Sequence, residues 1–563
     1  MAKIHLPHRG SGHPQGNSHG PAPGHPEEGS TPSTMPSAPP TVTGPWDTRS
    51  TRSSLSTLTT ATANDLERLP YRLTPRTAAI FAGATVGGLL FGYDTGVVSG
   101  VLLYLRPGDL GRATLTDRER ELITAVTGAG SFAGALAAFP AADLWGRRAT
   151  LALCCLGFIA ASALMSMARS LAVLVVGRAA VGVAVGVAAQ CVPLYLAETA
   201  PAPLRGTAIA LNTLAVTAGQ LLAYAAAWLL GPRTPHAWRY LFGLAALPAA
   251  LFVLLLDAVP ESPRWLAQHG RTEDAVRALK QVYPYATPQQ LRAQLHSFAA
   301  GTGAAQPLRR TNSIPARTYG AVQPQAPPQQ PHSPARSPWH SLQALRSPGA
   351  LRALAVGCTL MLFQQLSGFN AFMYYAPLIF SKLGGSVAAS TNPLLPALCI
   401  AAVNCTFTLV PLLGADSLGR RRLLLCTLWI CVLGLVLASL GFRNDDGALL
   451  LGAVLLFVAG YASALGSVPW SSVEFLPRDA RAAGSALIAC TNWAANTAVS
   501  ATYLSLADAL GGEAVMLAFA ACMALCWLFV YAWYPEVRGL SLEEVREVFA
   551  RGVDVHYVYR HYY

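Results

Sequence analysis

The chain has 563 residues, of which 53% are hydrophobic and only 12% are charged. A soluble protein of this length does not hide so much apolar surface in its cores, so the composition excludes a soluble protein and indicates that lipid solvates much of the chain. The formal net charge is +12, but the basic residues lie in short clusters between long apolar runs. That distribution disfavours a nucleic-acid partner and is typical of a membrane protein.

The N-terminal segment 1–70 is rich in Pro, Ser, Thr, Gly and His and contains no apolar run that could act as a signal peptide. It is too polar to form a core, so 1–70 is predicted to be a disordered tail. The first membrane helix is then expected to serve as the targeting signal.

Twelve apolar segments of membrane-spanning length follow, in two sets of six. They begin near residues 77, 122, 149, 171, 206 and 240, within 71–258, and near residues 349, 394, 422, 448, 482 and 511, within 348–534. The polar stretch between the sets, 259–347, has a helix-like section from 272 to about 300 and then a Pro, Gln and Ser-rich run that is predicted to be disordered. Residues 535–563 form a C-terminal tail.

The basic residues predict the orientation of the chain. Those in the even-numbered connections are Arg147, Arg148, Arg205, Arg264, Arg420, Arg421, Arg422, Arg478 and Arg481. Such connections face the cytosol, so both tails and the central stretch are expected to be cytosolic, with the plasma membrane as the default location. The first outer connection is an exception, because it holds four arginines, although four acidic residues accompany them.

The two sets repeat each other in detail. Pro193, Glu198, Pro201 and Arg205 recur with identical spacing as Pro469, Glu474, Pro477 and Arg481. In the same way Asp143, Gly146, Arg147 and Arg148 recur as Asp416, Gly419, Arg420 and Arg421, and Pro260-Glu261 recurs as Pro535-Glu536. The three groups recur at nearly the same offset along the chain, which indicates a duplicated six-helix unit. Such a duplication is a transporter architecture with the binding site between the repeats near the midplane.

Six short motifs stand in one order along the chain. They are Phe-Gly-Tyr-Asp-Thr-Gly at 91–96, Asp-Leu-Trp-Gly-Arg-Arg at 143–148, the segment 193–206, Pro-Glu-Ser-Pro-Arg at 260–264, Gln-Gln-Leu-Ser-Gly at 364–368 and Pro-Glu-Val-Arg-Gly at 535–539. With these motifs the chain resembles the sugar porter family of the major facilitator superfamily from about residue 77 to 545. The resemblance implies an all-α membrane protein with the major facilitator fold, with twelve transmembrane helices in two six-helix halves.

Within that family the chain looks most like the fungal proton-coupled myo-inositol transporters. The segments that carry this likeness are 365–370 with 373–375, 466–470, 491–493 with Asn496, and the pair Asn212-Thr213. The resemblance implies a secondary active transporter that imports myo-inositol or a related polyol with protons by alternating access, as a monomer in the lipid bilayer. A proton-coupled hexose transporter and a sugar or polyol sensor that does not transport are the alternatives.

An enzyme is disfavoured, because the chain has no phosphate-binding loop, no metal-ligand spacing and no recognisable serine nucleophile. No cofactor and no metal are therefore expected.

An uncharged polyol needs hydrogen-bond donors and acceptors without buried charge, and amides and indoles supply them. Gln364, Gln365 and Asn370 lie on a helix predicted to break near Gly368, which lets their side chains converge on a cavity. The positions that match the family's substrate contacts are Gln220, Gln364, Gln365, Asn370, Asn404 and Trp470, with Asn492 and Trp493 beside them. The alternative is that these amides only hold helices together.

Asp94 is predicted at the middle of a membrane helix, where an ionised carboxylate costs about 2.5–3.5 kcal/mol. A carboxylate that gains and loses an arginine partner can bind and release a proton. The resemblance implies Arg178 as that partner, so Asp94 and Arg178 are the predicted proton-coupling pair. A permanent structural ion pair is the alternative.

The repeated charged residues are predicted at the cytosolic ends of the helices. The resemblance implies that they form an inner gate whose salt bridges pair across the halves: Asp143, Arg147, Glu198, Arg205, Asp416, Arg420, Glu474 and Arg481. Several weak pairs together can hold one of two nearly balanced states. The alternative is that these charges only set the topology.

Overall fold

The computed structural model describes residues 74–300, 338–382, 393–477, 479–538, 540, 542–553 and 555–562. The predicted disordered tail at 1–70 and most of the Pro-rich run of the central stretch lie outside these residues. The described residues contain helices and no strand.

The first half of the chain contributes seven helices to the membrane region. They are α1 (Pro75–Tyr104), α2 (Asp117–Trp145), α3 (Arg147–Ser166), α4 (Leu171–Thr199), α5 (Ala202–Leu230), α6 (Ala237–Leu244) and α7 (Ala246–Leu255). Four short helices follow in the described parts of the central stretch: α8 (Pro263–Gln268), α9 (Thr272–Val282), α10 (Pro288–Ala300) and α11 (Pro338–Ala344). The first three of these share a small apolar core of their own.

The second half repeats the pattern. Its helices are α12 (Pro348–Leu366), α13 (Phe369–Lys382), α14 (Leu394–Phe407), α15 (Leu409–Leu418), α16 (Arg420–Arg443), α17 (Gly447–Gly460), α18 (Val468–Ser471), α19 (Arg481–Leu510) and α20 (Gly512–Trp533). A turn of π-helix, Tyr461–Leu465, joins α17 to α18. Two further helices, α21 (Leu542–Arg551) and α22 (Val555–Tyr562), end the described chain.

Eleven helical segments in the described residues are long and apolar enough to cross a membrane. The remaining segment of the twelve predicted is α19, which has 30 residues and is therefore long enough. Its hydropathy is lower because it carries polar residues, among them Asn492 and Asn496. These two residues belong to the candidate site described below.

Local sequence explains where the membrane helices begin and break. Thr116 and Glu119 form a capping box at the start of α2, in which each side chain accepts a hydrogen bond from the other's backbone N–H. Gly368, with φ 78°, separates α12 from α13, where the sequence predicts a break. Left-handed backbone at that position favours glycine.

Helices α1 and α5 approach each other closely because glycine lies at their crossing. A Cβ atom at Gly92 would overlap the backbone carbonyl oxygen of Val216. The obstacle is backbone, which cannot move aside as a flexible side chain can. Small residues at such crossings allow the backbone packing that holds membrane helices together.

We expect Gly92→Ala to reduce sharply the amount of folded protein, because an added methyl group in a tight interface costs about 1–3 kcal/mol or more. The measurement is the yield and melting temperature of the purified, detergent-solubilised protein. Gly157→Ala is the matched control, since Gly157 is also helical and a Cβ there would meet nothing within 4 Å. Equal yields for the two variants would contradict this account of the crossing.

Candidate functional site

A network of amide side chains joins the break between α12 and α13 to helix α19. Gln365 donates from Nε2 to Oδ1 of Asn492 at 2.6 Å. Its Oε1 accepts hydrogen bonds from Asn370 at 2.5 Å and from Asn496 at 3.3 Å. These amide side chains are uncharged and supply both donors and acceptors. Gln365, Asn492 and Asn496 are buried, so the network is held away from bulk water.

A second amide pair crosses between the two halves. Asn404 in α14 donates from Nδ2 to Oε1 of Gln220 in α5 at 2.8 Å, and both residues are buried. Because buried amides must be hydrogen-bonded, the two side chains satisfy each other here. A ligand hydroxyl that replaced either partner would exchange one hydrogen bond for another.

Gln364 makes different hydrogen bonds from its neighbour Gln365. Its Nε2 donates to the carbonyl oxygens of Leu465 and Gly466, at 2.8 and 3.0 Å. These carbonyls lie where the π-helical turn ends and α18 has not yet begun. The amide nitrogen of this predicted substrate contact therefore supports the irregular segment.

The two tryptophans of the predicted site lie in α18 and α19. Trp470 in α18 is half-buried and packs on the main apolar core. Trp493 in α19 is buried, its ring contacts that of Phe91 edge-on at 5.4 Å, and its Nε1 has no hydrogen-bond partner in the described structure. An unpartnered buried N–H is a donor that a ligand hydroxyl could satisfy.

Sequence reasoning missed Asn496 as a site residue, although it noted that residue as a mark of the resemblance. The signal was available, because Asn496 lies four residues after Asn492 on one helix face. Phe91 was missed as a site residue as well, although it is the first residue of the motif at 91–96.

Asp94 and Arg178 form an ion pair inside the first half. Arg178 Nη1 lies 2.6 Å from Asp94 Oδ1, and Arg178 and Asp94 are only 1% and 3% exposed. Arg178 also donates from Nε to the carbonyl oxygen of Ile123 in α2 at 3.2 Å, and its guanidinium lies 5.9 Å from the ring centre of Phe242. Removing one partner of such a buried pair leaves the other charge uncompensated, so each ion depends on the other.

Charged residues lie at the helix ends near Gly146 and Gly419. Among those with described side chains, the ion pairs form within each half. Arg147 contacts Glu198 at 2.9 Å and Asp143 at 3.2 Å. In the other half Arg420 lies 4.0 Å from Glu474, and Arg481 donates to the Leu476 carbonyl at 3.3 Å. The side chains of the other two predicted gate residues, Arg205 and Asp416, lie outside the described part of the chain. Pairing across the halves therefore stays a prediction.

The repeated Pro-Glu pairs cap the helices that follow Gly146 and Gly419. Glu261 accepts hydrogen bonds from the backbone N–H groups of Arg147 and Arg148 at the start of α3. Burial raises the pKa of the Glu261 carboxyl. The backbone N–H groups and the nearby Arg147 lower it, but by less than burial raises it. The cap lies against Gly146, where a Cβ would overlap the Glu261 carboxylate.

Glu536 makes the same contacts in the second half. It accepts from the backbone N–H groups of Arg420 and Arg421 at the start of α16, and a Cβ at Gly419 would overlap its carboxylate. A carboxylate is stabilised at a helix N-terminus. Glu261 and Glu536 were not among the predicted site residues, although their repetition in the sequence was the signal that could have identified them.

Comparisons with known proteins agree with this architecture. Residues 80–549 match the family model "Sugar (and other) transporter". The solved structure of the proton:xylose symporter XylE bound to 6-bromo-6-deoxy-D-glucose is similar, with a TM-score of 0.66 and 26% identity over 84% of this chain and 98% of that one. Its description places it in the major facilitator superfamily, so the predicted fold class is confirmed.

Several curated fungal proteins are also similar. A probable metabolite transport protein of Saccharomyces cerevisiae is 48% identical over 90% of this chain and 97% of its own length. Myo-inositol transporter 1 of Cryptococcus neoformans is 34% identical over 84% of this chain and 82% of its own length. Myo-inositol transporter 2 of Schizosaccharomyces pombe is 32% identical over 84% of this chain and 81% of its own length.

The chain therefore belongs to the sugar transporter family of the major facilitator superfamily. It is a multi-pass membrane protein that transports a sugar or polyol, and it is not an enzyme.

Proposed function

We propose that this chain imports myo-inositol or a related polyol together with protons by alternating access. The observation that carries the proposal is the buried ion pair of Asp94 and Arg178 within the first half of a chain whose candidate binding groups are neutral amides. A neutral polyol needs no counter-charge, so binding of the solute does not account for this pair, and its carboxylate is the group proposed to carry the proton.

The amides support the substrate class. A polyol presents hydroxyl groups around its ring, and each can donate and accept a hydrogen bond. Gln365 and its three asparagine partners offer both kinds of group in the second half. The pair of Asn404 and Gln220 extends this set across to the first half. The choice of myo-inositol rests on the fungal relatives that bear that name.

Proton coupling is supported by the ion pair and by a similar solved structure. A carboxylate that gains and loses an arginine partner in a dry environment can bind and release a proton. A cycle that alternates between these arrangements binds a proton in one state and releases it in the other. The similar solved structure is described as a proton symporter.

The distribution of arginines supports the orientation. The positive-inside rule favours an orientation in which the 146 and 419 turns and both tails face the cytosol and the 105–116 connection faces outwards. We propose the plasma membrane as the location, because the solute then enters from outside along the proton gradient.

Uptake measurements in cells without carriers of their own test the proposal. Radiolabelled myo-inositol and glucose are compared at external pH 5.5 and 7.5, with and without a protonophore. We expect myo-inositol uptake that rises in acid and collapses with the protonophore. Glucose uptake instead would indicate a hexose carrier, flux independent of pH would remove the coupling claim, and no flux of either solute would favour a sensor.

A further inference from the structure

A carboxylate joins the two halves at the end of the bundle that carries the 105–116 connection. Glu121, in the second turn of α2, accepts a hydrogen bond on Oε1 from the backbone N–H of Ser505 at 2.8 Å. Its Oε2 accepts a second one from the Ser505 hydroxyl at 2.7 Å. Helix α2 belongs to the first half and α19 to the second, so both bonds cross the interface between the halves, which we call the seam.

Glu121 depends on these two bonds. It is only 4% exposed, and no basic side chain in the described structure forms an ion pair with it. A buried carboxylate is costly unless it is paired or hydrogen-bonded. Ser505 itself is exposed, so the contact lies at the rim of the seam.

The same part of α2 is attached to the Asp94–Arg178 pair. Arg178 donates from Nη1 to Asp94 and from Nε to the carbonyl oxygen of Ile123. Ile123 follows Glu121 by two positions in α2. One guanidinium therefore touches both the buried carboxylate of α1 and the helix segment that carries Glu121.

Opening of the bundle at this end requires α2 to separate from α19, which breaks both bonds to Ser505. A second contact across the seam supports the same closure, since the Tyr224 hydroxyl donates to the carbonyl of Met373. Near the other end, Gln190 donates across the seam to the Ser485 carbonyl at 3.4 Å.

We propose that Glu121 and Ser505 form a latch that closes this end of the bundle, and that Arg178 transmits the state of Asp94 to it through the Ile123 carbonyl. When Asp94 takes up a proton, Arg178 loses its counter-charge and changes position. The Ile123 bond then changes with it, and the latch segment of α2 loosens. Glu121 is thus a positioning residue for the transport cycle. The link to protons, and the naming of this end as the outer one, rest on the function proposed above.

Hydrogen exchange measured by mass spectrometry on the full-length purified protein tests the latch without any transport. We expect Glu121→Ala to speed exchange in residues 500–508 about tenfold, because the Ser505 N–H loses its acceptor on Glu121. Ser505→Ala removes only the hydroxyl bond and should give a smaller increase, and it carries the test if Glu121→Ala does not fold.

Thr502→Ala is the matched control. Thr502 lies one turn before Ser505, is exposed, and donates to the Ala498 carbonyl of its own helix. It should leave exchange unchanged. Unchanged exchange in both latch variants, or an equal increase in the control, would overturn the latch.

Asp94→Asn tests the link to the ion pair. We expect it to speed exchange in residues 117–126, and to add little in a protein that already carries Glu121→Ala. Unchanged exchange in that segment, or full additivity of the two variants, would overturn the link.

Transport kinetics distinguish a gate from a merely structural contact. Loosening an outer latch enlarges the outward-open population, so Glu121→Ala should lower the external half-saturation concentration about threefold or more. A structural defect would lower only the maximal rate. Glu121→Gln, which keeps an acceptor for the Ser505 N–H, should restore most of the wild-type value. The hydrogen-exchange measurements need no substrate. They therefore test the latch even if the proposed transport function is wrong, and failure of one proposal can be told apart from failure of the other.

Discussion

Asp94→Asn should let the carrier equilibrate its substrate but not accumulate it. A proton that moves through 100 mV supplies about 2.3 kcal/mol, which corresponds to roughly fiftyfold accumulation in the unmodified protein. Asparagine can still accept a hydrogen bond from Arg178, but it cannot take up or release a proton. The accumulation ratio should therefore fall to about one, while exchange of labelled for unlabelled substrate continues.

The measurement combines steady-state accumulation with counterflow in the same vesicles. Loss of one partner from a buried ion pair costs about 3–5 kcal/mol, so the amount of folded variant and its melting temperature are measured alongside. Asp445→Asn is the matched control, because Asp445 is exposed and has φ 50°, a conformation that asparagine adopts readily. Accumulation retained by Asp94→Asn would show that the pair with Arg178 is only structural.

This pair illustrates what the sequence could predict. The sequence by itself identified Asp94, because an ionised carboxylate in an apolar helix costs free energy. Its partner lies 84 residues away, and no local spacing connects the two, so only the family resemblance supplied Arg178. The contact of Arg178 with the Ile123 carbonyl could not be predicted for another reason. Every residue has a backbone carbonyl, so residue type does not indicate which one an arginine contacts.

The amides show a similar limit. The family resemblance identified Gln364 and Gln365 together as substrate contacts. The structure separates them, because a turn of π-helix frees carbonyls at Leu465 and Gly466 that the amide of Gln364 satisfies. A π-helical turn depends on tertiary packing and leaves no periodic signal in the sequence.

The charged repeats were easy to find but hard to interpret. Their spacing revealed a duplicated unit, and the family resemblance suggested pairs across the halves. Among the described side chains, Arg147 pairs with Glu198 inside its own half, and Glu261 caps the neighbouring helix. A repeat in sequence states that two halves are built alike, but it does not state which partners meet in a given state of the cycle.

Gln365→Ala should reduce transport more than any other change among the amides. Gln365 bonds to Asn370, Asn492 and Asn496, so its removal leaves three polar groups without their partner and removes one proposed ligand contact. Each unsatisfied buried group costs about 1–3 kcal/mol. We therefore expect the half-saturation concentration to rise at least about tenfold, with the amount of folded protein measured in parallel. Thr491→Ala is the matched control, because Thr491 adjoins Asn492 but is only half-buried and donates to the Leu487 carbonyl of its own helix.

Gln364→Ala should behave differently, although the two glutamines are adjacent. Its amide supports the carbonyls of Leu465 and Gly466, so the loss should appear first as a lower melting temperature and a smaller folded fraction. Substrate should protect the Gln364 variant against heat nearly as well as it protects the unmodified protein, and should protect the Gln365 variant poorly, since stabilisation by a ligand follows its affinity. Equal loss of protection in both variants would place both glutamines at the substrate. Full protection of the Gln365 variant would instead make the network with Asn492 a structural contact between helices, and the proposed polyol site would then have to lie elsewhere.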